Sequence, residues 1–299
     1  MTKHLFSLLL LSLSALFPCH AAPASLWQPV WATASLRAPE VLTLRRVQGG
    51  VCLPCDANGT VWLGGQNGVP NWPFRDVEGG TFTMGNLPND SQADSDETRH
   101  QVGVSGYLIG TFEVTQEQWE WVMGSNPSYW KGANLPVETV SWNDCQEFVS
   151  RLNAKRTQIA PELAQARFRL PTEAEWEFAA RGGTRSNGYL YSGSNNIEDV
   201  AWYNGNSGSR THPVGMKRAN ELGIHDMTGN VWEWCQDWYG SYPTAFQNNP
   251  QGPTSGSLRV DRGGGWCSNP RRCRASYRSN SSPDDRNNNL GLRLVLQFP

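Results

Sequence analysis

Charge is scarce in this chain. Only 17% of its 299 residues are Asp, Glu, Lys or Arg, and 25 basic against 27 acidic side chains leave a formal net charge of -2. No nucleic-acid partner is expected, because gripping a phosphate backbone requires a surplus of Lys and Arg. Histidine is scarcer still. Of five, His4 and His20 fall near the start, leaving His100, His212 and His225 with no HxxxH pair among them. A His-built iron or zinc centre lacks ligands on that count. Long apolar runs are missing too: residues 5–17 form a run of 13, short of the roughly 20 that a membrane span needs. There is no GxSxG elbow, P-loop or GxGxxG fingerprint, so nothing marks a hydrolase, an NTPase or a dinucleotide enzyme.

What the chain has instead is Gly 30, Pro 19 and Trp 14. That aromatic content excludes charge-driven disorder, and so many helix breakers exclude a long-helix protein. A loop-rich globule with an aromatic core is expected. Lys3 and His4 precede the apolar run and small Ala21 and Ala22 follow it, the pattern of a secretory signal over 1–22. The expected location is outside the cytoplasm: periplasmic, cell-surface or secreted. A lipid anchor at Cys19 is an alternative, with Leu16 three residues before it, though Phe17 and Pro18 suit a lipoprotein signal badly.

Beyond the leader stand six cysteines: Cys52, Cys55, Cys145, Cys235, Cys267 and Cys273. An even number in an exported chain favours disulfides, whose connectivity the sequence leaves open. Cys52-Leu-Pro-Cys55 reads as a local bridge, or as half a zinc knuckle whose other half is absent. Cys145 lies on an apolar stripe with Phe148, Val149 and Leu152, which makes it a core residue.

Composition divides the chain into the leader, a small strand-and-loop region over 23–74, and a larger unit over 75–299. Strands are expected near 43–47, 61–63, 80–84 and 107–114. Three helices announce themselves by their caps: Thr115 with Gln118, Ser141 with Asp144, and Thr172 with Glu175, the last ending at Gly182-Gly183. After Gly183 the sequence promises irregular loops pinned by a few strands. One stretch there, Asp226 to Glu233, sets two carboxylates across a Gly-bearing turn, a pattern open to a hard cation.

Several segments together resemble the formylglycine-generating enzyme, or sulfatase-modifying factor, family. They are GGTFTMG (79–85), FEVTQEQW (112–119), LPVETVSWNDC (135–145), FRLPTEAEWEFAARGG (168–183), DMTGNVWEW (226–234), DRGGGW (261–266) and NLGLRLV (289–295). The resemblance implies an α+β fold, the formylglycine-generating-enzyme-like variant of the C-type lectin fold, rich in irregular loops. It implies a structural calcium held by the side chains of Asp226 and Glu233 and the carbonyls of Gly229 and Val231. In the family's oxidases a CxxxxC pair holds copper. Here the matching cysteines, Cys267 and Cys273, stand one residue further apart, a shift of about 3 Å that a metal–thiolate bond does not tolerate. Copper is therefore not expected, and Cys267 and Cys273 are catalytic only on the alternative oxidase reading.

Residues 261–295 also resemble the variable region of proteins diversified by retroelements. Gly265, Cys267, Ser268, Arg272, Tyr277, Ser279, Asn280, Ser281, Ser282, Asp285 and Asn287 carry the residue types that altered Asn codons produce. Between them Gly263, Gly264, Trp266, Pro270, Arg274, Arg278, Pro283, Arg286, Gly291 and Arg293 read as frame. The expectation is an exported, non-catalytic protein whose C-terminal surface binds an unknown protein or surface ligand. The alternatives are an envelope oxidase and a maturation chaperone.

Overall fold

The computed structural model describes residues 36–88 and 90–299. The leader over 1–22 and the lipidation alternative at Cys19 lie outside the described residues. Among the described residues, fourteen strands form three sheets, accompanied by four α-helices. The largest has seven strands in the order β1 (Thr43–Arg46), β2 (Cys52–Cys55), β3 (Thr60–Gly64), β4 (Asn71–Val77), β7 (Tyr107–Gly110), β14 (Val295–Gln297) and β8 (Arg167–Arg169). A second sheet runs β10 (Gln247–Asn248), β6 (His100–Val104), β5 (Gly80–Met84), and a third runs β12 (Arg278–Ser281), β11 (Arg259–Arg262), β9 (Trp232–Trp238), β13 (Leu290–Leu292).

The three capped helices form where the sequence places them. α1 (Gln116–Met123), α2 (Trp142–Ile159) and α3 (Glu173–Ala180) each open with a complete capping box, at Thr115/Gln118, Ser141/Asp144 and Thr172/Glu175. Reciprocal bonds of that kind satisfy two otherwise orphaned backbone donors. α2 turns Cys145, Phe148, Val149 and Leu152 inward onto a core that includes Trp72, Trp119 and Phe168. The Trp119 and Phe148 rings stack at 4.7 Å, a contact worth about 0.5–1.5 kcal/mol beyond the area it buries. A second core gathers Trp176 and Phe178 of α3 with Val102, Cys235 and Val260.

Four expectations need correction. The strand expected over 107–114 ends at Gly110, because the chain turns there and Thr111 N–H bonds back to Pro73 O at 3.0 Å. Past Gly183 the chain still forms one short helix, α4 (Ile197–Val200), capped by Asn196. The division at 74/75 falls inside β4, which pairs with β3 on one edge and β7 on the other. Strands β1 to β4 thus extend the main sheet and are not a separate region. Finally, all six cysteines among the described residues are free. Cys52 and Cys55 sit three apart in one strand, Cys52 exposed and Cys55 buried. Residues so spaced lie on opposite faces roughly 10 Å apart, beyond the reach of a disulfide.

The last two strands tie the molecule together. β13 completes the third sheet beside β9, and two residues later β14 enters the large sheet between β7 and β8. Arg293 and Leu294 bridge the two sheets, with Gly110 N–H bonding Leu294 O at 2.8 Å.

Candidate ligand-binding face

Four arginines of the C-terminal segment are buried: Arg262, Arg274 and Arg293 at 0% exposure and Arg278 at 5%. Each meets carboxylates from distant parts of the chain. Arg262 reaches Glu173 at 2.9 Å and Glu177 at 2.5 Å. Arg278 grips both oxygens of Glu173 at 2.7 and 2.8 Å. Arg274 holds both oxygens of Glu97 at 2.6 and 2.7 Å and Asp90 at 2.6 Å. Arg293 binds Glu233 at 2.7 Å and the carbonyls of Gly110 and His225. Planar guanidinium groups paired in this way fix direction as well as charge, so the backbone of 262–293 is locked from beneath.

The strand period of two divides the segment. Arg262 and Arg278 point toward α3, so Asp261, Ser279 and Ser281 occupy the other face of the sheet. There Ser281 donates to Asp261 Oδ2 at 2.8 Å, and Ser279 bonds the same carboxyl. Burial pushes the Asp261 carboxyl up to about 6, while the two serine hydroxyls oppose the rise. Beside this trio Arg259 is sandwiched between the rings of Trp142 at 3.7 Å and Trp238 at 3.4 Å. At the other end Trp232 meets Tyr277 at 6.0 Å, and Trp266 meets Trp130 edge-on at 5.0 Å. The result is a band of aromatic and small polar groups, the composition of adaptable recognition surfaces.

Of the expected binding positions, Ser279 and Ser281 lie on this face and Tyr277 at its end, whereas Asn280 shares the Arg278 side of β12 and the remaining ones lie in the turns and loops that flank the sheet. Cys267, Arg272, Asp285 and Asn287 are exposed, and Tyr277, Ser279, Asn280, Ser281 and Ser282 are half-buried. Gly265 and Ser268 are corrections, for both are buried. The Ser268 hydroxyl accepts from Gly265 N–H at 3.0 Å, and a Cβ on Gly265 would lie 3.2 Å from Asn289 O. These two belong to the frame. Arg286, expected as frame, is exposed but bound to both oxygens of Asp144 at 2.7 and 2.8 Å, which docks the 282–289 loop on the start of α2. The sequence reading missed Asp261, Trp130, Trp142 and Arg259. Asp261 is set beside Ser279 by the β11–β12 register, which no local pattern announces; Trp130 comes from a remote loop and Trp142 from the first turn of α2.

The two candidate catalytic cysteines differ in setting. Cys267 is exposed, with the Asn289 amide at 3.1 Å from its sulfur. Cys273 is buried in a cluster with Tyr191, Ile197 and Val200. Burial, with Cys267 as a lesser cause, pushes its thiol up to about 12.

The expected calcium ligands occupy a buried acidic cluster. Glu113, Asp226 and Glu233 surround the single guanidinium of Arg293. Asp226 Oδ2 accepts from Gly215 N–H at 2.6 Å, and its Oδ1 is buried without a partner among the described residues. Burial raises the Asp226 carboxyl and drives that of Glu113 well above its usual range. Glu233 shares its oxygens between Arg293 and the Trp176 indole, 2.7 Å away. No three His, Cys, Asp or Glu side chains among the described residues form a metal-holding group. The open Asp226 oxygen is the one feature there that fits a hard cation, the Glu233 oxygens being engaged by Arg293 and Trp176.

The sequence signature described as the sulfatase-modifying factor enzyme 1-like domain matches residues 75–298. The chain belongs to this family. Among characterised proteins it is similar to the chaperone protein LppX of Paenibacillus barcinonensis, 36% identical over 262 residues that cover 73% of this chain and 87% of that protein. The formylglycine-generating enzyme of Streptomyces coelicolor is 35% identical over 181 residues, 54% of this chain and 52% of the enzyme. The chain therefore spans about half the length of that relative. Among solved structures, Treponema denticola variable protein 1 superposes with a TM-score of 0.68 at 36% identity, covering 77% of this chain and 96% of that one. PvdO from Pseudomonas aeruginosa does so with a TM-score of 0.65 at 25% identity, covering 80% and 98%. These neighbours establish the family's α+β, C-type-lectin-like fold.

Proposed function

We propose that this family member is an exported binding protein that presents changeable side chains on the outer face of its C-terminal sheet and does no chemistry there. One observation carries the reading. The four buried arginines fasten the segment to carboxylates from elsewhere in the chain, while Cys267, Arg272, Asp285 and Asn287 between them stand in solvent. A frame that keeps its shape whatever the exposed residues are is what variable recognition requires. Likeness to a variable protein over most of its length supports the same reading. Cys273 lies buried among Tyr191, Ile197 and Val200 while Cys267 stands exposed, which weighs against the oxidase alternative. A cation at Asp226 and Glu233 would serve as a structural counter-charge beneath the frame and take no part in binding.

The reading is tested with two displayed libraries. Randomising Cys267, Arg272, Asp285 and Asn287 is expected to leave most variants folded and to yield selectable binders against unrelated proteins. Randomising Arg262, Arg274, Arg278 and Arg293 is expected to leave few folded variants. Equal intolerance of both sets would refute it. A chaperone role, favoured by the likeness to LppX, uses the same non-catalytic face; it would show instead as a raised folded yield of one co-expressed client, lost when Trp142 or Arg259 is replaced by Ala.

A further inference from the structure

Behind the third sheet, on the side away from the binding face, lies a cavity of about 210 Å³. Its floor is Glu173 and Ala174 of α3, one wall is His100 of β6, another is Asp237 near the end of β9, and residues 240–253 form its roof. The roof is pinned at both ends. Gly240 O accepts from Arg278 at 3.0 Å. Asn249 bonds Gly103 O through its N–H, and Ser105 through both ends of its amide. Gly252 passes so close over Asp237 that a Cβ there would meet the aspartate's own Cβ at 2.9 Å. The space is therefore built into the fold and not a chance gap between mobile loops.

Most charge around the cavity is already matched. Glu173 is held by Arg262, Arg278 and the Tyr242 hydroxyl. Arg278 divides its donors among Glu173, Asp96 O and Gly240 O. Two groups are left over. Asp237, 4% exposed, accepts from Glu173 N–H through Oδ2 at 2.9 Å, and its Oδ1 has no hydrogen bond among the described residues. His100 is 6% exposed and bonds Thr98 O through Nδ1 at 3.0 Å. A carbonyl only accepts, so Nδ1 carries a proton, and Nε2 is the ring nitrogen left for a ligand. Met84, Tyr242, Pro243, Pro250 and Pro253 supply an apolar wall, and Ser241, Gln247 and Gln251 join the lining.

A largely apolar pocket with one buried carboxyl oxygen to spare selects a basic donor. We propose that this cavity binds a small organic amine, its ammonium bonded to Asp237 Oδ1 and facing His100 Nε2, its compact apolar body against the prolines and Met84. Burial first, and the Glu173 charge second, push the Asp237 carboxyl up to about 8, so it keeps its proton at neutral pH until an ammonium brought beside it supplies the counter-charge for ionisation. The volume is below the roughly 300–1,000 Å³ of pockets for drug-sized ligands, so the ligand is a small monoamine and not a peptide side of a protein partner.

Titration calorimetry of the full chain with benzylamine, benzyl alcohol and benzoate tests this, the three probes sharing a ring and differing in the polar group. Benzylamine is expected to bind at least tenfold more tightly than the alcohol, and benzoate not to bind. Asp237→Asn keeps the acceptor for Glu173 N–H and is expected to bring benzylamine down to the level of the alcohol. Equal affinity for amine and alcohol, preference for benzoate, or no benzylamine binding at millimolar concentration overturns the proposal. The comparison among probes on the unaltered chain decides the matter even if the variant fails to fold.

Discussion

Arg272 and Arg274 stand two residues apart at the end of one 3-10 turn, and replacing each by Met separates frame from face. Arg274 is fully buried and holds Glu97, itself 1% exposed, through both oxygens, with Asp90 on the same guanidinium. Removing it strands two carboxylates in the interior. Breaking a buried ion pair from one side costs about 3–5 kcal/mol, which for a domain of this size lowers the melting temperature by about 6–20 °C. Arg272 is exposed, and its replacement is expected to change stability by no more than about 0.5 kcal/mol. The assay is calorimetric or urea unfolding of both variants beside the parent. Glu97 adds a pH signature. Burial opposes its ionisation, but the Arg274 hydrogen bonds win and hold its carboxyl below the usual 4.5. That contribution is present above pH 4.5 and lost as the pH falls through the lower folded value, so Arg274→Met is expected to lose less stability in acid than the parent. Adding Glu97→Gln to Arg274→Met should recover part of the loss. Equal melting temperatures for the two single variants would refute the division into frame and face.

Asp261 gives the opposite pH sign. Its folded value of about 6 exceeds the ordinary 3.8, so the folded state keeps its proton longer and stability falls as pH rises from about 4 to about 6, by about 3 kcal/mol; urea melts of Asp261→Asn should lack that decline. Ser281→Ala removes a bond to the same carboxyl and is expected to cost about 1 kcal/mol, a correction to treating Ser281 as free of the fold. Calcium is expected to raise the melting temperature of the parent relative to chelator and to leave Asp226→Asn unchanged; identical scans for the parent would dismiss the ion. Iodoacetamide on the native protein should modify Cys267 and Cys52 and spare Cys273, read by peptide mass mapping, whereas rapid labelling of Cys273 would revive the oxidase.

Local chemistry was legible because it is local. Capping boxes announce helices through residues three apart, and all three formed. The strands expected near 43–47, 61–63 and 80–84 formed for the same reason, each being a contiguous pattern, whereas those of the third sheet carry no such local mark. Burial was harder to read. Gly265 and Ser268 have the residue types of surface loops, yet they close on each other in a tight turn beneath Asn289. The band around Asp261 was hidden because Trp142, Arg259 and Ser279 come together only through the pairing of β9, β11 and β12. The Cys52–Cys55 bridge failed on geometry that the spacing alone does not reveal: in a helix or a loop the two sulfurs meet, in a strand they part.

The insertion of β14 between β7 and β8 makes the order of synthesis matter. That strand follows residues 261–292, so the edge strand β8 cannot join the large sheet until the C-terminal segment has been made. A chain cut short before Val295 leaves β7 and β8 without their shared partner and open to proteolysis. Only a chain read through to β14 closes the sheet, so the architecture tests that the segment before it was translated in full.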